Sequence, residues 1–145
     1  MRVDFYVIED EHEEALVRVA SRLLAKAYAG GLRAWVLCAD EHAASTLDTY
    51  LWTYKDNSFL PHSIAGEAPE GLNPPIQIST NSMPEDNSFN LLLNLREITP
   101  ENCEAFERVL DLVAHDAKDA GRTRYRTYRE QGFELHKHTV PSPQK

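Results

Sequence analysis

The chain is short of glycine, and that shortage excludes a common use of alternating strands and helices. Six glycines occur in 145 residues, and none of them builds GxGxxG or GxxxxGK followed by Ser or Thr. In those loops a bare backbone lets a pyrophosphate approach a helix N-terminus. Where such a loop would follow a first strand, the chain reads Glu9-Asp10-Glu11-His12-Glu13-Glu14, whose carboxylates repel phosphate. Cysteine is scarce too: Cys38 and Cys103 stand far apart with no CxxC or Cys/His spacing, so neither a disulfide nor a zinc site is expected, and both are read as thiols of a reducing compartment. No apolar run approaches the ~18 residues of a membrane span. The opening Met1-Arg2-Val3-Asp4 leads into acids rather than the apolar core of a signal peptide. A cytoplasmic protein without membrane contact is expected. Positive charge is also in deficit. A net charge of −8 speaks against a protein whose whole surface grips nucleic acid.

What is present fits one globular domain. A chain of this length buries roughly 70% of its unfolded surface, and 42% hydrophobic with 26% charged residues is an ordinary globular balance. Val3 to Ile8 reads as a buried strand, and Glu11 to Ala29 as an amphipathic helix closed by Gly30-Gly31. Arg33 to Cys38 and His42 to Trp52 repeat that unit, with Asp40 as N-cap. Lys55 to Pro75 has little periodicity and reads as a long connection that could serve a partner. Pro75 to Ser79 and Phe89 to Leu95 read as strands, and Thr99-Pro100-Glu101 as the start of a short helix. Arg108 to Val113 reads as a strand, Asp116 to Gln131 as a last helix, and Phe133 to Thr139 as an edge strand. These units predict a single α/β Rossmann-like domain over residues 1–139, with a mainly parallel sheet flanked by helices and an antiparallel edge. Residues 140–145, with two prolines, are expected to be a frayed tail.

Charge is segregated along this chain. Lys118, Arg122, Arg124, Arg126, Arg129 and Lys137 against Asp119, Glu130 and Glu134 leave residues 118–138 at +3, so the remainder carries −11. On a helix, Lys118, Arg122 and Arg126 follow one another at spacing four, with Tyr125 and Arg129 on the same stripe. Stacked like charges repel by a few tenths of a kcal/mol per pair, a local cost that suggests an anionic partner. Arginine adds bidentate bonding to carboxylates and tyrosine an apolar floor, which suits a short acidic peptide with a hydrophobic end. Two other readings stay open. The helix could be a solvated basic face, or Arg122, Arg124, Arg126 and Arg129 interleaved with Tyr125 and Tyr128 could be a stacking platform making the chain a weak direct binder of single-stranded nucleic acid.

Catalytic readings are fewer. Glu9 to His12 could hold a divalent metal for hydrolysis, or could be a helix start whose acids complement the dipole. His136 and His138 share one face of a strand with no third ligand nearby in sequence, and Ser45, Ser58 and Ser63 lack a nucleophile-elbow setting. No cofactor, metal or catalytic residue is expected.

Several segments in order along the chain carry a resemblance. They are Asp4-Phe5-Tyr6, Ala34-Trp35-Val36-Leu37-Cys38-Ala39-Asp40-Glu41, Leu51-Trp52, Ser58-Phe59-Leu60-Pro61-His62, Ala65-Gly66-Glu67 and Arg124-Tyr125-Arg126-Thr127-Tyr128-Arg129-Glu130-Gln131-Gly132-Phe133. Together they resemble the chi subunit family of the DNA polymerase III clamp loader. The resemblance implies a Rossmann-like domain with no nucleotide site and no enzymatic activity, working in DNA replication as an accessory subunit of the holoenzyme. It implies two partners: the psi subunit, and the acidic C-terminal tail of single-stranded DNA-binding protein, which ends in Pro-Phe with a free carboxylate. DNA is then met only indirectly. The positions matching the family's tail-binding residues are Lys118, Arg122, Tyr125 and Arg126, with Val113 at an apolar pocket position. Trp52 and Phe59 match positions that contact psi, where in some members an XPD-like helicase competes. Trp52 could equally close the second helix over the core.

Overall fold

The structure, a computed structural model, describes residues 2–52, 61–64, 74–80, 82–84 and 88–141. Strands are β1 (Arg2–Ile8), β2 (Ala34–Leu37), β3 (His62–Ile64), β4 (Ile76–Ser79), β5 (Leu91–Asn94), β6 (Arg108–Val113) and β7 (Glu134–Val140). Helices are α1 (Ala15–Ala29), α2 (Glu41–Trp52) and α3 (Lys118–Glu130), with a 3-10 turn at Cys103–Ala105. The seven strands form one sheet in the order β3-β4-β2-β5-β6-β1-β7, every pairing parallel.

The central strands are buried on both faces, which is why Ala34-Trp35-Val36-Leu37 and Leu91-Leu92-Leu93 read as continuous apolar runs rather than alternating ones. On one face α1 and α2 cover Ile8, Val36, Ile78, Leu93, Leu110 and Leu112 with Val19, Leu24, Leu47 and Leu51. On the other, α3 and the segment around Cys103 and Phe106 cover Val3, Phe5, Leu92, Val109 and Val113. The result is a three-layer α/β/α domain. Asp40 caps α2 as its sequence position suggests, accepting the Ala43 N–H at 2.8 Å. Cys38 and Cys103 are free, buried in different layers, and burial pushes each thiol up to about 12.

The structure corrects several expectations. The edge strand is parallel, not antiparallel: Arg2 to Ile8 register with Glu134 to Val140 in the same direction. The reason is α3, a full crossover that returns the chain to the end of the sheet from which β6 started. The stretch expected as a structureless connection holds β3, a three-residue strand paired with β4. The helix expected at Thr99-Pro100-Glu101 begins only at Cys103, after Asn102 takes a left-handed φ of 57° that interrupts helical geometry. Helix α1 starts at Ala15 rather than near Glu11. Val140 closes β7 and Pro141 follows it outside any element, while residues 142–145 of the expected tail lie outside the described residues.

Two acids lie inside the sheet, each in an otherwise apolar run. Asp111 on β6 is fully buried and accepts a bidentate pair from Arg124 on α3, Nε at 2.9 Å and Nη2 at 2.8 Å. The Tyr128 hydroxyl donates to it at 3.0 Å and Asn94 Nδ2 at 3.2 Å, while Arg124 Nη1 donates to the Glu97 carbonyl at 2.7 Å. Burial pushes this carboxyl up, and the hydrogen bonds and charge of Arg124 oppose it. The Tyr128 phenol is pushed up by burial and by the Asp111 charge beside it, so it stays protonated and donates.

Asp4 on β1 is the second buried acid. It accepts from Arg2, Arg108 and His138. Burial alone would push it up, but these three hydrogen bonds outweigh that and hold it at about 2 rather than the ordinary 3.8. A carboxyl lowered in the folded state contributes stability that is complete above the ordinary carboxylate range and is lost as pH falls toward 2. Acid unfolding followed by circular dichroism should therefore be steeper between about pH 4 and pH 2 for the parent than for Asp4→Asn. Parallel slopes in that window would contradict this role.

Candidate functional site

Helix α3 has a clear inner face. Gly121, Arg124 and Tyr128 are its buried residues, spaced by three and four. The Asp111 pair and the contacts of Phe5 with Tyr125, tilted, and with Tyr128, edge-on, at ring centroids of 5.2 and 5.6 Å, fix its rotation about its own axis. Gly121 fixes its height over the sheet. A Cβ there would stand 2.8 Å from Val113 Cγ1 and 3.0 Å from Cγ2, so only glycine admits this approach.

With the inner face committed, Lys118, Arg122, Arg126 and Arg129 are exposed and Tyr125 is half-buried at the boundary. A groove of about 450 Å³ opens between this side of α3 and the end of the sheet. Its floor is Phe5, Val7, Val113, Gly121 and Tyr125. Its cations are Lys118 and Arg122 from the helix and Lys137 from β7, with Glu9 and Thr139 also in the lining. Strand register explains the far wall, because Phe5 pairs with Lys137 and Val7 with Thr139. Arg122 Nη1 meets the Asp119 carboxylate at 2.7 Å, with both groups largely in solvent, a pair worth little that a stronger ligand can displace.

Four of the five residues expected at a tail site, Val113, Lys118, Arg122 and Tyr125, thus share one groove. Arg126 lies one turn along the helix, exposed and outside the lining. Sequence reasoning missed the contribution of β1 and β7. The alternation of Leu135, Lys137 and Thr139 was visible, but which of the two strand faces met α3 was not.

The stacking-platform reading of α3 does not survive the burial of two of its members. Arg124 is 2% and Tyr128 0% exposed, and their polar groups are spent inside the fold, on Asp111 and, for Arg124 Nη1, on the Glu97 carbonyl. Trp52 ends α2 with 55% exposure, its ring centroid 4.9 Å from that of His62. Its expected companion Phe59 lies outside the described residues. In the Glu9 to His12 cluster, Asp10 Oδ1 accepts the His12 N–H at 2.9 Å and His12 Nδ1 the Glu14 N–H at 3.1 Å, the bonds of a turn that leads into α1. His138 bonds Asp4, and His136 stands 3.2 Å from Glu134. Among the described residues no three His, Cys, Asp or Glu side chains assemble as a metal set, and no helix is long and apolar enough to cross a membrane.

Gly121→Ala should lift α3 from β6, lowering stability by about 1–3 kcal/mol and distorting the groove. Adding Val113→Ala to it makes room for the new methyl and should recover part of the loss in thermal denaturation. An additive double variant would rule out the contact as the cause.

Fold and groove together define a parallel three-layer α/β domain that carries, in place of a glycine-rich phosphate loop, an apolar groove rimmed by cations. The family model described as DNA polymerase III chi subunit, HolC, matches residues 1–136. The chain is 39% identical over 142 residues to the DNA polymerase III subunit chi of Pseudomonas aeruginosa, covering 97% of each. It is 31% identical over 137 residues to that of Escherichia coli and 30% over 133 to that of Haemophilus influenzae, each alignment covering 90% of this chain and 92% of the relative. The chain belongs to the DNA polymerase III chi subunit family.

Proposed function

We propose that this chain acts in the cytoplasm as a non-catalytic adaptor of the clamp loader, with residues 1–139 as its single folded unit. It holds the acidic C-terminal tail of single-stranded DNA-binding protein in the groove beside α3. The observation that carries this reading is the coincidence of an apolar floor and a three-cation rim in one groove. A terminal Phe ring lies on Phe5, Val113 and Tyr125, while its carboxylate and the preceding acids meet Arg122, Lys118 and Lys137, with Arg126 catching acids further along the helix. Guanidinium and carboxylate pair by two parallel hydrogen bonds, and the aromatic floor supplies edge and face contacts.

Titration of an acidic peptide ending in Pro-Phe tests this directly. The free acid should bind at least about tenfold more tightly than the C-terminal amide, the difference of one charge-assisted bond of about 1.5–3 kcal/mol. Equal affinities would remove the carboxylate from the interaction.

The second surface of this adaptor is the end of α2. Trp52, with Phe59, docks the psi subunit, and an XPD-like helicase would compete there; DNA is then reached only through these proteins. A large exposed aromatic next to a ring partner supports an anchor at this place. Trp52→Ala should abolish co-purification with psi while leaving peptide titration unchanged. Loss of both would mark it as a core residue instead.

A further inference from the structure

Strand β7 ends the sheet, and among the described residues no strand lies beyond it. Glu9 donates its N–H to the Val140 carbonyl at 2.9 Å, so the main chain of Val140 faces β1. The direction of these groups alternates along a strand. His138, His136 and Glu134 therefore bond to β1 as well, while the N–H and C=O groups of Leu135, Lys137 and Thr139 point outward. A row of unpaired main-chain groups on an open edge is a template for another chain.

The residues with outward main chain are also those whose side chains face α3. Leu135 packs against the core layer beneath that helix, and Lys137 and Thr139 line the groove, registered on Phe5 and Val7 of its floor. A peptide whose end is buried in the groove, and which leaves it past Lys137 and Thr139, meets the open edge directly.

Charge decides between the candidate occupants of this edge. Lys137 is the central residue of β7. Pairing β7 with that of a second copy, parallel in register or antiparallel about its centre, sets Lys137 against Lys137, and like charges directly opposite are destabilising. An acidic strand instead places alternate side chains beside Lys137 on one face and beside the partly exposed His136 and His138 on the other. Exposed Glu134 at the start of β7 repels such a guest and confines it to residues 135–139. The main-chain bonds carry the contact, and they need no local excess of positive charge.

We propose, resting on the reading that the groove holds the end of the acidic tail, that the tail residues preceding that end add to β7 as a further strand of the sheet. Side-chain contacts in the groove select the end, and main-chain hydrogen bonds along the edge hold what comes before it. About five residues at ~3.3 Å each take part, a length of about 17 Å. The chain thus grips a stretch of tail several times longer than its terminal residue.

Calorimetry with the whole chain and the acidic peptide ending in Pro-Phe, N-methylated singly at successive backbone positions upstream of its last two residues, provides the test. Only every second amide of an added strand faces β7, so the losses should alternate, about tenfold at one set of positions and less than twofold at the set between. Hydrogen exchange followed by NMR should show the Leu135, Lys137 and Thr139 amides exchanging fast in the free chain and slowing when the unmethylated peptide binds. Losses that do not alternate, or exchange at these amides unchanged by saturating peptide, would overturn the added strand and leave the groove reading standing. Failure of the unmethylated peptide to bind would remove both.

Discussion

Asp111→Ala is expected to cost about 3–5 kcal/mol, because it strands the Arg124 guanidinium in a buried site and takes away the acceptor of Tyr128. Domains have about 5–15 kcal/mol in total, so the variant should melt roughly 6–20 °C lower, at roughly 2–4 °C per kcal/mol for a chain of this size. Exchange of both charges for apolar residues, Asp111→Leu with Arg124→Met, should restore much of the loss, since a buried pair is costly mainly when half of it is missing. Thermal denaturation of the single and double variants would decide this. A mild single variant would mean that the pair is not what pins α3. The same measurement bears on the groove, because Lys118, Arg122 and Tyr125 are placed only as well as the helix is.

The second large effect concerns the groove itself. Arg122→Ala should weaken the Phe-ended acidic peptide by about thirtyfold, about 2 kcal/mol, the low end for removing one charged partner. The low end applies because Arg122 is 69% exposed and begins in a solvent-screened pair with Asp119. Arg129→Ala, outside the lining on the same helix, should change affinity less than twofold, an effect of a rim charge in screened solvent. Calorimetry at two salt concentrations would separate the cases: the Arg122 effect persists at high salt if its carboxylate bonds are desolvated, and a purely long-range effect fades. Equal losses from Arg122 and Arg129 would reduce the groove to a diffuse basic field.

Both expectations trace to residues whose roles differ in legibility. The parallel sheet was readable because Val3 to Ile8, Arg33 to Cys38 and Phe89 to Leu95 are apolar runs separated by helical periods. Three-residue β3 was not, since His62-Ser63-Ile64 shows no period and is a strand only because β4 lies beside it. The direction of β7 depends on α3 being a complete crossover, which alternation along a strand cannot reveal. At the candidate site, the outward stripe of Lys118 and Arg122 followed from spacing alone. Arg124 and Tyr128 were misplaced on the surface although a signal existed. Asp111 interrupts the apolar run Val109-Leu110-Asp111-Leu112-Val113, an acid in such a strand needs a cation, and the helix that follows has arginines to offer. Gly121, Arg124 and Tyr128 at spacings of three and four then mark the inner face.

The position of β1 in the sheet has a consequence for synthesis. This strand leaves the ribosome first among the described elements, yet its neighbours on both sides are β6 and β7, and its Asp4 waits for Arg108, 104 positions later. The groove is not complete before α3 and β7 are made, since its floor joins Phe5 and Val7 of β1 to Val113 of β6 and to Gly121 and Tyr125 of α3, and its cations come from α3 and β7. Until late in translation β1 is an unpaired apolar strand with a charged residue at its centre, the kind of segment that slows folding and invites aggregation. Competence for the acidic tail therefore arrives last and all at once, and a nascent chain stalled before α3 should have no affinity for it.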